Sequence, residues 1–342
     1  MTNDEIWMQR ALDLALLGDG HVAPNPLVGC VIVRDQQLIG EGFHAAYGGP
    51  HAEVNAFQNL QESAAGATVY VSLEPCSHFG KTPPCADLLI REKVARVVIC
   101  NLDPNPLVAG QGVKRLIQAG ITVDLGILEL KGAQINRQFF HFHEKGRPWI
   151  TLKFAESKDG FIAKESGQPV VFSNAVSQQL VHKLRTQHQA ILVGVNTVNV
   201  DNPTLNARFW PGKSPLRMVI DPQNRMHRAI TLLEDEEPLL VFTHEFSDTD
   251  RNKQWIPLGE NMLEGIMTYC QKQGIQSILV EGGTQTLLSF YAAGFCNEIL
   301  KIQSGVCLEK GIKSPFRDHS WEVIEQVGAD NLWLRAKENL GQ

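Results

Sequence analysis

The sequence predicts an α/β fold in two successive units, on three observations. The chain has 342 residues, more than the ~150 that one domain commonly takes. In both halves, strand-length apolar runs alternate with amphipathic helical stretches, the pattern of a sheet with helices on its faces. Between the halves, His143-Glu-Lys-Gly-Arg-Pro148 is polar and contains Gly and Pro, which places the boundary between residues 1–146 and 147–342.

The elements follow in order. Asn3 is read as the cap of a first helix, with Asp4 and Glu5 in its opening turn. Ile6, Trp7, Ala11, Leu14 and Ala15 make its apolar stripe, which ends near Gly18. Residues 29–33 and 38–43 are β-rich runs around Asp35-Gln36-Gln37 and read as a hairpin. The pattern then alternates: helix over 51–60, strand over 68–72, helix over 85–93, strand over 96–100, helix over 110–119. In the second half a strand opens at 149–154. A helix over 174–187, strands at 190–193, 216–220 and 239–242, a helix over 261–273, a strand at 277–280 and a helix over 284–293 follow. No internal repeat of 20–50 residues links the halves.

Composition narrows the function. Thirty-one basic against 37 acidic residues give a net charge of -6, so the chain lacks the basic footprint that drives sequence-independent nucleic-acid binding. The longest apolar runs, such as Ala190-Ile-Leu-Val-Gly-Val195, fall far short of the ~20 residues that cross a bilayer. The N-terminus, Met1-Thr-Asn-Asp-Glu-Ile, is acidic where a targeting peptide would be basic. Seven cysteines are too few, and odd in number, for a disulfide scaffold. The expectation is a cytoplasmic protein acting on small molecules, with no membrane or nucleic-acid partner.

The strongest motif is His51-Ala-Glu53, followed by Glu74-Pro-Cys76 and Cys85. One imidazole and two thiolates leave Zn²⁺ neutral, with a fourth position for water, as in catalytic rather than structural sites. Glu53, two residues from the ligand, can move a proton between that water and a leaving amine. The arrangement is that of zinc nucleobase deaminases, H-x-E followed by P-C-x-x-C, except that eight residues rather than two separate the cysteines. The alternative is a pair of ordinary buried thiols beside a helix start.

Further motifs carry a resemblance. Asn25-Pro-Leu-Val-Gly29, Gly42-Phe-His44, Pro50-His-Ala-Glu53, Glu74-Pro-Cys-Ser-His78, Lys81-Thr-Pro-Pro-Cys85 and Asp103-Pro-Asn-Pro106 together resemble the N-terminal half of the bifunctional riboflavin-biosynthesis deaminase/reductase family. In that family the long loop between the cysteines is normal. The likeness continues through Lys153-Phe-Ala-Glu-Ser-Lys-Asp-Gly160, His182-Lys-Leu-Arg185, Asp201-Asn-Pro-Thr-Leu205, Arg208, Val219-Ile-Asp221 and Val280-Glu-Gly-Gly283. It implies a cytidine-deaminase-like αβα domain followed by a dihydrofolate-reductase-like α/β domain.

For residues 1–146 the resemblance implies hydrolytic deamination of a diamino-ribosylamino-pyrimidinone 5′-phosphate. His51, Cys76 and Cys85 would bind zinc, Glu53 would be catalytic, and Asn25, His44, Lys81 and Thr82 would contact the substrate. For residues 147–342 it implies NADPH-dependent reduction of the ribosyl group to a ribityl chain. Ala155, Thr197, Gly283, Thr284, Gln285, Thr286 and Leu287 would contact NADPH, and Arg185, Asp201, Leu205, Arg208 and Glu281 the substrate. It also implies a homo-oligomer, a dimer paired through the reductase domains.

Read without the family, the second half says less. Val280-Glu-Gly-Gly-Thr284 puts a glycine pair between strand and helix, where backbone N–H groups can approach a phosphate, though a simple tight turn explains it equally. Gly110-Gln-Gly112 continues with Arg115 in place of a third glycine, so a Rossmann reading fails. The family pattern has Ser and Trp where this chain has Pro169 and Val171, so the nicotinamide or substrate contact there differs. Two rivals share the zinc site: a tRNA-type base deaminase with an accessory binding domain, and the same deaminase with an inactive pseudo-reductase half. His141 and His143 read as solvated or packing residues near the boundary, and Cys30, Cys100, Cys270, Cys296 and Cys307 as small core residues.

Overall fold

Thr2, not Asn3, caps the first helix, α1 (Asn3–Ala15). The Glu5 backbone N–H donates to the Thr2 hydroxyl at 3.2 Å, and the Glu5 carboxylate accepts the Thr2 N–H at 2.7 Å. Glu5 stands three residues after Thr2, so this reciprocal pair moves the start of the helix by one residue. The computed structural model describes residues 1–60, 62–77, 83–105, 108–165, 170–244, 252–317, 319–328 and 331–336. The chain divides into two compact units, Met1–Gly146 and Arg147–Gln342.

In the first unit, β1 (Gly29–Arg34) and β2 (Gln37–Phe43) form the hairpin. Asp35 and Gln36 both take positive φ, 50° and 62°, as a two-residue turn matched to strand twist requires. The unit continues through α2 (Ala52–Gln58), β3 (Thr68–Leu73), α3 (Cys85–Arg91), β4 (Arg96–Asn101), α4 (Gln111–Gln118), β5 (Thr122–Leu125), α5 (Glu129–Ile135) and α6 (Arg137–Lys145). The polar segment expected as a linker is partly helix: His143 lies on α6, its ring edge-on to Phe139 at 4.5 Å, and the helix stops at Gly146 with φ 65°. The sheet order is β2-β1-β3-β4-β5. β1 runs antiparallel to β2 and β3, while β3, β4 and β5 are parallel. Alternate residues feed two cores. Cys30, Ile32, Val97 and Ile99 pack with Ala52, Ala56, Leu89 and Leu116 of α2, α3 and α4. Val31, Val33, Val98 and Cys100 pack with Met8, Ala11 and Leu12 of α1.

The second unit runs β6 (Trp149–Glu156), β7 (Phe161–Ala163), α7 (Ala175–Thr186), β8 (Ala190–Gly194), α8 (Val195–Asp201), β9 (Leu216–Ile220), α9 (Thr231–Glu234) and β10 (Leu239–Thr243). It continues with β11 (Lys253–Pro257), α10 (Met262–Gln273), β12 (Ser277–Val280), α11 (Thr284–Ala292), β13 (Glu298–Gln303), β14 (Ile312–Lys313), β15 (Trp321–Val327) and β16 (Asn331–Ala336). The main sheet is ordered β11-β10-β9-β8-β12-β6-β13-β16-β15. It is parallel from β11 to β13, and the hairpin β15–β16 closes it antiparallel.

The central strands β8, β10 and β12 are buried on both faces, which is why they read as largely continuous apolar runs. Ala190, Leu192, Leu240 and Phe242 pack with α10 and α11, while Ile191, Val193, Leu239 and Val241 pack with α7 and α8. Side chains pin the strand starts. The Gln189 N–H donates to Ser277 Oγ at 3.0 Å, the Gln276 N–H to Gln189 Oε1 at 2.6 Å, and the Ile150 N–H to Asn297 Oδ1 at 2.9 Å.

Cys30, Cys100 and Cys270 are buried as expected, but Cys296 is half-buried and Cys307 exposed, because Cys307 follows β13 in a loop rather than a strand. Among the described residues no helix is long and apolar enough to cross a membrane.

Candidate active sites

Where β3 ends at Leu73, Glu74-Pro75 carries the chain over the C-terminal edge of the parallel strands to Cys76. The buried Glu74 carboxylate accepts backbone N–H groups from Gly110 and Gly112 at 2.9 Å, and from Asp103 and Val113 at 3.3 Å. This ties the segment before Cys76 to the start of α4. A Cβ at Gly112 would run into the Pro75 carbonyl, so close packing rather than phosphate binding accounts for that glycine.

Cys85 is the first residue of α3, and its backbone N–H donates to Cys76 Sγ at 3.3 Å. His51 sits at the N-cap of α2. Its Nδ1 lies 3.6 Å from Cys76 Sγ and 3.3 Å from Cys85 Sγ, and the three ligand atoms are all within 4.8 Å of one another. A tetrahedral ion with Zn–N near 2.05 Å and Zn–S near 2.3 Å holds its nitrogen and sulfur ligands about 3.5 Å apart. The donor set therefore fits zinc in chemistry and in spacing.

Electrostatics agree with a site built for a cation. The Cys85 side chain hydrogen-bonds the Cys76 sulfur and, with His51, holds Cys76 well below the usual thiol range, while Cys85 is pushed up. Glu53 is buried beside them, and burial, then the neighbouring Cys76, raises its carboxyl to about 7. His44 Nδ1 is 2.9 Å from the Pro50 carbonyl, which only accepts, so Nδ1 carries the proton and Nε2 accepts from Asn25 Nδ2 at 3.0 Å. The His44 ring stands edge-on to His51, centroids 5.8 Å apart. Asn25, His44, His51, Glu53, Cys76 and Cys85 thus converge; Lys81, Thr82 and His78 lie outside the described residues.

In the second unit a cavity of about 930 Å³ opens at the C-terminal edge of the parallel strands, the position expected of ligand sites in such sheets. Ala155, Thr197, Asp201, Gly283, Thr284, Gln285 and Thr286 line it. In its wall the Gly283 N–H donates to Thr197 Oγ1 at 3.2 Å. The first turn of α11 leaves its N–H groups without intrahelical partners, and Thr284 Oγ1 is buried with no hydrogen-bond partner among the described residues. An orphaned donor at a helix N-terminus suits the phosphate of a dinucleotide, so these residues fit NADPH. Leu287 does not line the cavity with them. It is fully buried among the core residues of the sheet face, and its N–H bonds to Gly283 O at 3.2 Å, because it falls one turn into α11 on the inward side.

A second cavity of about 360 Å³ shares Lys153, Ala155 and Glu281 with the first and is further lined by His182, Arg185, Leu205 and Arg208. Arg185 donates to both Glu281 oxygens, Nε at 3.0 Å and Nη2 at 3.1 Å, and Lys153 Nζ lies 3.5 Å from Glu281. Burial alone would raise the Glu281 carboxyl; Arg185 and Lys153 outweigh it and hold it down at about 2. Arg208 binds Thr204 Oγ1 and Asn206 Oδ1. Of the expected substrate residues, Arg185, Leu205, Arg208 and Glu281 come together here, whereas Asp201 lines the larger cavity with the NADPH set. Lys153 and His182 are additional wall residues; their sequence signal was proximity, Lys153 two before Ala155 and His182 one helical turn before Arg185. Val171 is exposed at the rim of the smaller cavity, and Pro169 lies outside the described residues.

A three-ligand metal site in an αβα layer, followed by a parallel sheet with a dinucleotide-sized cleft, defines a zinc deaminase joined to a pyridine-nucleotide reductase. Residues 1–101 match the cytidine and deoxycytidylate deaminase zinc-binding region and residues 148–308 the RibD C-terminal domain. The chain is 39% identical to the riboflavin biosynthesis protein RibD of Aquifex aeolicus, over 99% of this chain and 96% of that one. It is 40% identical to the Escherichia coli RibD, over 87% and 86%. The solved RibD of Acinetobacter baumannii superimposes with a TM-score of 0.89 at 34% identity, covering 98% of this chain and 99% of that one. A diaminohydroxyphosphoribosylaminopyrimidine deaminase/5-amino-6-(5-phosphoribosylamino)uracil reductase of Thermotoga maritima also gives 0.89, at 33% identity and 98% coverage of both chains. The chain belongs to the RibD family of bifunctional riboflavin-biosynthesis deaminase/reductases, whose cofactors are zinc and NADPH. A nucleic-acid base deaminase with an accessory domain is not favoured, since the second half matches a reductase domain.

Proposed function

We propose that this chain catalyses two consecutive steps of riboflavin biosynthesis: hydrolytic deamination of 2,5-diamino-6-ribosylamino-4(3H)-pyrimidinone 5′-phosphate, then NADPH-dependent reduction of its ribosyl group to ribityl. The observation that carries the first step is the cluster of His51, Cys76 and Cys85 with buried Glu53 beside it. When bound there, zinc supplies a Lewis acid that lowers the pKa of a water. Glu53 would take one proton of that water and pass it to the ring nitrogen as the oxygen bonds to the ring carbon, then carry the remaining proton of that oxygen to the amine as the C–N bond breaks, so that water is consumed and ammonia released. A carboxyl near neutrality suits both directions of that transfer. Asn25 and His44 orient the pyrimidine, and Lys81 and Thr82 belong to the same role through the family motif.

In the reductase, NADPH supplies the hydride. Ala155, Thr197 and the Gly283–Thr286 turn hold it, while Arg185 and Arg208 receive the sugar phosphate, with Leu205 and Glu281 beside them. Asp201, which lines the larger cavity, would contact the substrate's sugar beside the cofactor. The protein's part is placement and exclusion of water. The larger cavity argues for an active rather than a pseudo-reductase domain. Pairing into a homodimer through the reductase units and a cytoplasmic location complete the reading.

The test is a coupled assay with the diamino substrate, zinc and NADPH, reading ammonia and NADPH separately. Glu53→Gln is expected to lower ammonia release by at least ~10²-fold while NADPH oxidation continues when deaminated substrate is supplied. Ammonia release at the wild-type rate would sink the mechanism, and absence of NADPH oxidation by the wild-type protein would sink the reductase half.

A further inference from the structure

The backbone pairing of β1 with β3 runs from Val33 back to Cys30. Closer to Asn25, the N–H groups on that edge of the chain are met by side chains instead. Ser72 Oγ accepts the Gly29 N–H at 3.0 Å. Two residues earlier, on the same edge of an extended chain, Asn136 Oδ1 accepts the Leu27 N–H at 2.8 Å, and Asn136 Nδ2 donates to the Leu27 carbonyl at 2.9 Å. A single side-chain amide thus satisfies both backbone groups of Leu27, as a neighbouring strand would.

Asn136 is 4% exposed and joins α5 to α6 at the N-cap of α6, yet its side chain makes no cap hydrogen bond there. An Asn in that place ordinarily serves its own helix; here the amide is given to Leu27. The sheet fixes where Asn136 stands. Asn101, the last residue of β4, donates to the Glu129 carbonyl of α5 at 3.1 Å, and a Cβ at Gly132 would run into the Asn101 side chain. On the other side of Leu27 the contacts lead to the deaminase site. The Val28 carbonyl accepts the His44 N–H at 2.9 Å, and Asn25 Nδ2 donates to His44 Nε2 at 3.0 Å. Asn25 is therefore two residues from a backbone unit clamped to α5 and α6, and its partner His44 stands edge-on to His51.

We propose that Asn136 is a positioning residue of the deaminase: through the Leu27 backbone it holds Asn25 against His44 in the geometry that receives the pyrimidine ring. This rests on Asn25 being a substrate contact. Because Asn136 bonds to Leu27 and not to the metal cluster, its loss acts on substrate binding and leaves the bond-breaking step to zinc and Glu53.

Ammonia release by the zinc-loaded full chain from the diamino substrate tests this, with zinc content and NADPH oxidation read on the same preparations. Asn136→Ala is expected to raise KM about tenfold while kcat, zinc content and the reductase rate stay within about twofold. Asn136→Asp keeps the shape and the acceptor for the Leu27 N–H but turns an oxygen toward the Leu27 carbonyl. It is expected to raise KM at least about fivefold with zinc retained, which a packing role for the side chain would not produce. Asn25→Ala should also raise KM about tenfold, and the N25A/N136A double variant no more than about twofold beyond N25A, since the second change acts through a side chain already removed. An N136A KM within twofold of wild type, a fall in kcat as large as the rise in KM, loss of zinc from both Asn136 variants, or effects that multiply in the double variant each overturns the proposal. If N25A leaves KM unchanged, the reading of Asn25 as a substrate contact falls and the proposal with it. That is a different failure from an N25A protein with raised KM beside an N136A protein that binds substrate normally.

Discussion

The Glu281 carboxylate holds two cations in a buried site, and Glu281→Gln removes the charge while keeping the shape. Side-chain exposures are 12% for Glu281, 12% for Arg185 and 10% for Lys153, so solvent does little to screen the change. Lowering the carboxyl from its ordinary 4.5 to about 2 corresponds to ~3 kcal/mol of stability. That agrees with the ~3–5 kcal/mol typical of breaking a buried pair and stranding its partner. The sign follows from the depressed folded-state value: the contribution is complete above pH ~4.5 and is lost as pH falls toward 2. At pH 7 the thermal transition of the second unit should drop by about 6–12 °C, taking ~2–4 °C per kcal/mol for a unit of this size. The gap between variant and wild type should narrow below pH 4.5. Adding Lys153→Met to E281Q should regain part of the loss, since it removes one of the two cations left facing each other. A variant melting within 2 °C of wild type at pH 7, or a gap that persists unchanged at pH 3.5, would refute the reasoning.

Two further outcomes follow from the larger cavity. Thr284→Val removes a hydroxyl that has no partner among the described residues, so stability should stay within ~0.5 kcal/mol while the NADPH dissociation constant rises about fivefold to tenfold; unchanged NADPH affinity by fluorescence titration counts against a phosphate contact there. Leu287→Ala should cost ~2–5 kcal/mol by opening a core void, with NADPH affinity of the folded protein altered less than twofold. A stable L287A protein that no longer binds NADPH would return Leu287 to the cofactor set.

Elements built on simple periodicity were readable. The strand at Leu216–Ile220 was found residue for residue, because four of its five residues are apolar and Arg217 alone breaks the run. β13 was missed because Glu298 and Lys301 interrupt its pattern, and only the fold shows that Lys301 meets Glu156 at 2.7 Å. α6 was hidden by its His, Glu and Lys residues. The ligands of the metal cluster were visible because each is fixed to the start of a helix or the end of a strand. Leu287, expected among the cofactor residues, lies in the core because a motif marks a segment, and the turn of α11 decides which of its residues face the cleft. His182 was not picked out because only the fold brings its ring beside Arg185, Leu205 and Arg208 in the wall of the smaller cavity.

The strands buried on both faces have a consequence for how the second sheet finds its alignment. In a half-exposed strand, slippage by one residue turns apolar groups to water, and polarity alone forbids it. For β8, where Ala190 and Leu192 serve one core and Ile191 and Val193 the other, a slipped strand would still be greasy on both sides. The discriminating information is moved to the strand beginnings. There Ser277, Gln189 and Asn297 each accept one particular backbone N–H, acting as keyed latches that a misaligned neighbour cannot engage. Alignment of the sheet beneath the cofactor cleft is thus encoded by a few polar residues at the edge opposite the chemistry, which frees the C-terminal edge to vary with the substrate.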